Sequence, residues 1–134
     1  TNGTSVRDVV ASWLRYVKHT INVIFTPGLS YSMKFERVNS DQALDNLLND
    51  DAVIFKHSER CGISKDRKQA LSEMDDDVTI HAVEVREQRS LSDRIEDETG
   101  VEHESPQLLV IRDGDVVWHA SHMAISPDDL RKHL

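Results

Sequence analysis

The stretch FKHSERCGISKDRK, residues 55 to 68, holds the only cysteine of the chain. A thiol becomes a strong nucleophile once it loses its proton, and it does so readily where positive charge or oriented N–H groups stabilise the anion. Here the apolar run AVIFKH (52–57) stops shortly before Cys61, and a charged, helix-forming run follows it. That order delivers Cys61 to the start of a helix. The unpaired backbone N–H groups and the helix dipole there favour a thiolate, pulling the pKa below the ordinary value of about 8.5. Arg60 adds a neighbouring positive charge, and Ser64 offers a hydroxyl from the first helical turn. Cys61-Gly62-Ile63-Ser64 has the form C-x-x-S, the layout of a dithiol redox motif with its second thiol replaced by a hydroxyl. A thiolate so placed attacks disulfides and is also a good leaving group. The plainer alternative, an inert buried cysteine, fits poorly with such polar neighbours.

Composition bounds the rest. With 134 residues, 38% hydrophobic and 30% charged, the chain reads as one domain with a core of ordinary size under a heavily charged surface. A net charge of −8 argues against nucleic acid as a partner, because phosphate backbones reward basic stripes. No run approaches the roughly 18 apolar residues of a membrane span. One cysteine allows no internal disulfide, which fits a reducing compartment such as the cytoplasm. The sequence starts at Thr1 and not Met, so a removed targeting segment stays open.

The elements that must position the thiol follow from periodicity. Residues 4–25 carry Val6, Val9, Val10, Trp13, Leu14, Val17, Ile21 and Ile24 on one helical face. This amphipathic helix and its linker form an N-terminal segment, 1–32, whose apolar stripe packs on its own domain, offers a homodimer contact or is the remnant of a membrane-proximal segment. From residue 33 the chain alternates. MKFERV reads as a strand, 40–50 as a helix capped by Ser40 or Asp41, and AVIFKH as a strand buried on both faces. Residues 62–76 read as a helix with Ile63, Ala70, Leu71 and Met74 inward, 78–85 as a strand, and 90–100 as a helix ended by Gly100. Residues 106–121 form two strands around an Asp113-Gly114 turn, and 126–134 open a last helix with Ser126 as cap. The order βαβαβαββα over 33–134 implies an α/β fold: a mixed sheet of about five strands flanked by helices.

A second element sits in ESPQLLVI, where Pro106 opens a strand after the third helix. On its own it is an ordinary strand-opening proline. With C-x-x-S it matches thioredoxin-like folds, in which a cis-proline at this place packs against the active cysteine and exposes the preceding backbone to a bound thiol. FKHSERCGIS, ESPQ and VWHASH, in that order, resemble the YtxJ-like family of monothiol bacilliredoxins over residues 33–134. The resemblance implies a thioredoxin-like fold, with the N-terminal helix as an extra element, and a cytoplasmic thiol–disulfide oxidoreductase. It implies catalysis by Cys61, support of the thiolate by Arg60, Gly62 and Ser64, and thiol binding at Ser105 and Pro106. No bound cofactor or metal is implied; the partners are bacillithiolated proteins, with bacillithiol, a small cysteine-containing thiol, as co-substrate. The family usually has Thr-Cys-Pro-Ile-Ser where this chain has Arg60-Cys61-Gly62-Ile63-Ser64, which bears on the helix entry and the thiol pKa.

Three other readings compete. Cys-Gly-Ile-Ser differs by one residue from the Cys-Gly-Phe-Ser of monothiol glutaredoxins, which carry iron–sulfur clusters, yet their later Gly-Gly-x-Asp segment is missing here. A zinc site could draw on His57 with Cys61 and on His119 with His122, although the first pair spans a strand–helix junction. Finally, the domain could serve as a thioredoxin-like adaptor with an idle thiol.

Overall fold

A computed structural model describes residues 34–134. The expected helix over 4–25, its linker and the homodimer contact considered for it lie outside the described residues. Five strands and four α-helices follow in the expected order: β1 (Lys34–Arg37), α1 (Asp41–Leu48), β2 (Ala52–His57), α2 (Gly62–Ser72), β3 (Thr79–Glu84), α3 (Arg89–Thr99), β4 (Gln107–Arg112), β5 (Asp115–Ser121) and α4 (Pro127–Arg131). A short 3-10 turn, His122–Ala124, links β5 to α4.

The strands form one mixed sheet in the order β1-β3-β2-β4-β5. β2 lies at its centre, parallel to β3 and antiparallel to β4. Every residue of β2 is buried, as its nearly unbroken apolar run requires. Val53 and Phe55 point to one face, where Leu71 of α2 and Leu130 of α4 cover them. Ala52 and Ile54 point to the other, beneath Leu44 and Leu48 of α1 and Leu91 and Ile95 of α3. The two-residue period of the strand thus splits the core into two layers. Helix α2, which starts just after Cys61, belongs to the first layer.

Local chemistry sets the boundaries. Ser40, rather than Asp41, caps α1 by accepting from the Ala43 N–H at 3.1 Å. Asp113 and Gly114 both take positive φ, 51° and 84°, the two-residue turn whose twist suits the hairpin. The expected helix over 62–76 ends earlier, at Ser72, and buried Met74 lies past its end. Ile63 was expected inward but is 42% exposed. Ser64 and Leu71, seven residues apart, form the inner stripe instead and turn Ile63 outward.

Gly100 ends α3 in the left-handed region, φ 72°, and its N–H donates to the Glu96 carbonyl at 2.9 Å. A Cβ there would meet no neighbour within 4 Å, so the penalty on substitution is conformational alone. Gly100→Ala is expected to lower stability by about 1 kcal/mol. The midpoint of urea unfolding measures it, and an unchanged midpoint would refute this reading of the cap.

Candidate functional site

Four residues, Ser58 to Cys61, carry the chain from the end of β2 to α2, and every backbone N–H among them has an acceptor. Ser58 N–H donates to Ser64 Oγ at 3.1 Å, and Glu59 N–H to Glu84 Oε1 at 3.1 Å. Arg60 N–H donates to Ser58 Oγ at 3.3 Å, and Cys61 N–H to the Ser58 carbonyl at 3.1 Å. Buried amides left without partners cost free energy, so this accounting holds the turn in one conformation. It also leaves the donors of the first turn of α2 facing the cysteine.

Cys61 is the N-cap residue of α2: its backbone is extended and its carbonyl accepts from Lys65 N–H at 3.1 Å. The half-exposed side chain closes no capping hydrogen bond as a neutral thiol. As a thiolate it gains the N–H groups of Ser64 and Ile63, and these hold its pKa below the ordinary thiol value. Partial burial opposes them, and the Ser64 hydroxyl adds to them. The helix N-terminus therefore acts through two named amides.

The other expected site residues divide. Ser64 is 1% exposed and serves twice, accepting from Ser58 and supporting the Cys61 anion. Arg60 is exposed, so solvent screens its charge, and the Cys61 pKa is lowered chiefly by the amides of Ser64 and Ile63. Gly62 opens α2 with no positive φ, and a Cβ on it would meet nothing within 4 Å. Neither space nor backbone geometry requires a glycine there.

Ser105–Pro106 is a cis peptide. Lys56 pairs with Gln107 across β2 and β4, so the loop leaving β2 and the proline entering β4 share one end of the sheet. The Pro106 carbonyl accepts from His122 N–H at 2.9 Å, and His122 Nε2 lies 2.8 Å from Glu104 Oε2. Among the described residues no backbone hydrogen bond engages the N–H or C=O of Ser105. Arg67 of α2 donates to the Ile125 carbonyl at 2.9 Å, fixing the segment after the 3-10 turn against the helix that carries Cys61.

The histidines do not gather. His57 is buried at the end of β2 and stacks on Phe55 with ring centroids 5.4 Å apart. His119 is exposed on β5, and His122 belongs to the 3-10 turn. Among the described residues no three His, Cys, Asp or Glu side chains cluster as metal ligands would.

Sequence reasoning missed Glu84. It is 4% exposed at the end of β3, and its carboxylate accepts the Glu59 amide of the loop. The visible signal was an acid inside the apolar strand VTIHAVEV, a residue type rarely buried without partners.

Residues 36–130 match the family model described as monothiol bacilliredoxin BrxC. Among solved structures, a protein described as a candidate oxidoreductase with a thioredoxin fold aligns at 27% identity and a TM-score of 0.69, over 74% of this chain and 92% of its own. A structure concerned with thiol resolution in a yeast mitochondrial 1-Cys peroxiredoxin aligns at 21% identity and a TM-score of 0.58, covering 73% and 91%. A mutant thioredoxin from Halobacterium salinarum aligns at 21% identity and a TM-score of 0.56, covering 78% and 91%. The last two likenesses concern the fold alone, and the fold is thioredoxin-like.

Two substitutions at the helix entry should act in opposite directions. Gly62→Ala is expected to stabilise the protein by about 0.5–1 kcal/mol, because it restricts only the unfolded chain. Ser64→Ala is expected to cost about 1–3 kcal/mol, since it leaves the buried Ser58 N–H without an acceptor, and also to raise the Cys61 pKa. Denaturant unfolding and thiolate absorbance against pH check both.

Proposed function

The chain belongs to the monothiol bacilliredoxin family, and we propose that it removes bacillithiol from protein mixed disulfides through Cys61. The family and the fold support a thiol oxidoreductase. The observation that carries the finer reading is the seat of the chain's one thiol, half-exposed at the N-terminus of α2 and favoured there as an anion.

In the first step the Cys61 thiolate attacks the bacillithiol sulfur of the mixed disulfide. The Cys61–bacillithiol bond forms, the protein–bacillithiol bond breaks, and the client leaves as a thiolate that takes its proton from water. The free N–H and C=O of Ser105 can pair with the incoming chain in extended form, aligning the disulfide for in-line attack. In the second step an external thiolate attacks the sulfur of the bound bacillithiol and releases Cys61. Ser64 cannot take this part, because an alcohol is far too weak an acid to supply a nucleophile near neutral pH. The stabilised Cys61 anion is then the leaving group, so the same two amides favour both steps.

Intact mass spectrometry of the protein incubated with a bacillithiolated client tests the reading. Without free thiol, one bacillithiol should accumulate on each chain, and added bacillithiol should remove it. Cys61→Ser should abolish transfer, while Ser64→Ala should slow it without abolishing it. Equal or faster transfer from glutathionylated clients would contradict the assignment of bacillithiol. Full turnover by Cys61→Ser would contradict the site itself.

A further inference from the structure

Glu84 is buried at 4% exposure, yet its side chain makes only backbone contacts by hydrogen bond. Its Oε2 accepts from Arg86 N–H at 2.8 Å and Glu87 N–H at 2.7 Å, closing the turn between β3 and α3. Its Oε1 crosses to the neighbouring strand's loop and accepts from Glu59 N–H, two residues before Cys61. A second bond, Val85 N–H to the His57 carbonyl at 2.9 Å, ties the same two segments together. Gln88 braces the carboxylate's own strand end: its Oε1 accepts from Glu84 N–H at 3.0 Å, and its Nε2 donates to the Val38 carbonyl.

We propose that Glu84 is a positioning residue for Cys61, its carboxylate fixing the loop so that the first amides of α2 stay aimed at the sulfur. A carboxylate that accepts three amide bonds is a rigid acceptor, and each bond is strengthened by the charge. Without it Glu59 N–H has no acceptor, and the turn that depends on Ser58 carbonyl and hydroxyl contacts can open. Glu84 touches no reacting atom, so the positioning it supplies reaches Cys61 only through the loop. The role applies to any disulfide or electrophile that Cys61 attacks, whatever thiol the protein uses.

Other charges share the cleft that Glu84 lines: His57 from β2, Glu59 from the loop, Lys68 from α2, Arg37 from β1 and Glu87. Lys68 Nζ and His57 Nδ1 both lie 3.5 Å from Glu59 Oε1, and Arg37 pairs with Glu87 at 2.8 Å. Burial raises the Glu84 pKa, but the amides of Glu87, Glu59 and Arg86 outweigh it and hold the carboxyl below the ordinary value. The bonds therefore persist at neutral pH and are lost only as the pH falls through that lowered value.

Glu84→Gln separates positioning from charge. Removing a nearby negative charge by itself lowers a thiol pKa, whereas loosening the loop raises it. Thiolate absorbance and the pH profile of iodoacetamide alkylation should show the Cys61 midpoint raised by about half a unit or more, a loss of roughly threefold or more in thiolate below the midpoint. A midpoint that falls or stays put, in a folded variant, overturns the proposal. A second measurement needs no variant. In the unmutated protein, the NMR amide signals of Glu59, Arg86 and Glu87 should shift together with the Glu84 carboxyl as the pH is lowered. A Glu59 amide that ignores this titration also overturns it.

Discussion

The account depends on how the peptide groups at the N-terminus of α2 are satisfied. A helix begins with N–H groups that have no partner within it. In this chain the loop before α2 satisfies its own amides with Ser58, Ser64 and Glu84, so none of them competes for the sulfur. The amides of Ile63 and Ser64 are left to the thiol, which becomes their best acceptor only when ionised. The ease with which Cys61 ionises thus follows from hydrogen-bond accounting, and the surrounding fold keeps that accounting fixed.

The sheet does this in two ways. β2, buried on both faces, is held in register by β3 and β4, so the end of the strand has little freedom. The ends of these neighbours border the site: Glu84 from β3, bonded to the loop, on one side, and the cis Ser105–Pro106 peptide before β4 on the other. Stabilising the thiolate also weakens any mixed disulfide formed on Cys61, because the reduced form gains what the oxidised form lacks. In the proposed reaction, in which Cys61 takes up a group and then gives it back, that balance favours turnover.

Much of this was legible in the sequence. Alternating apolar periodicity yielded the order of elements, and the abrupt stop after AVIFKH placed Cys61 at a helix start. Asp113-Gly114 and Gly100 marked a hairpin and a helix end because few residues adopt positive φ. Ile63 was misplaced because periodicity ranks side chains by hydrophobicity, while the inner position of that turn is held by a serine that satisfies a buried amide. Arg60 stands next to the thiol in sequence, but its side chain is exposed, where solvent screens its charge. Glu84 lies 23 positions beyond Cys61 in the numbering, and only the parallel pairing of β2 with β3 brings it to the loop.

Lys56 was also hidden inside the apolar run. It is fully buried beside α3, with Nζ 3.4 Å from the Ser92 carbonyl, and burial lowers its pKa against the pull of Glu96 and Asp93. Its place on the face of the sheet opposite α2 keeps that charge away from the helix that carries Cys61. The central claim, that two helix amides activate the thiol, is tested most directly by thiolate absorbance of the reduced protein against pH. The account predicts a single transition with its midpoint below the value of about 8.5 for a free cysteine. A midpoint at or above that value would contradict it.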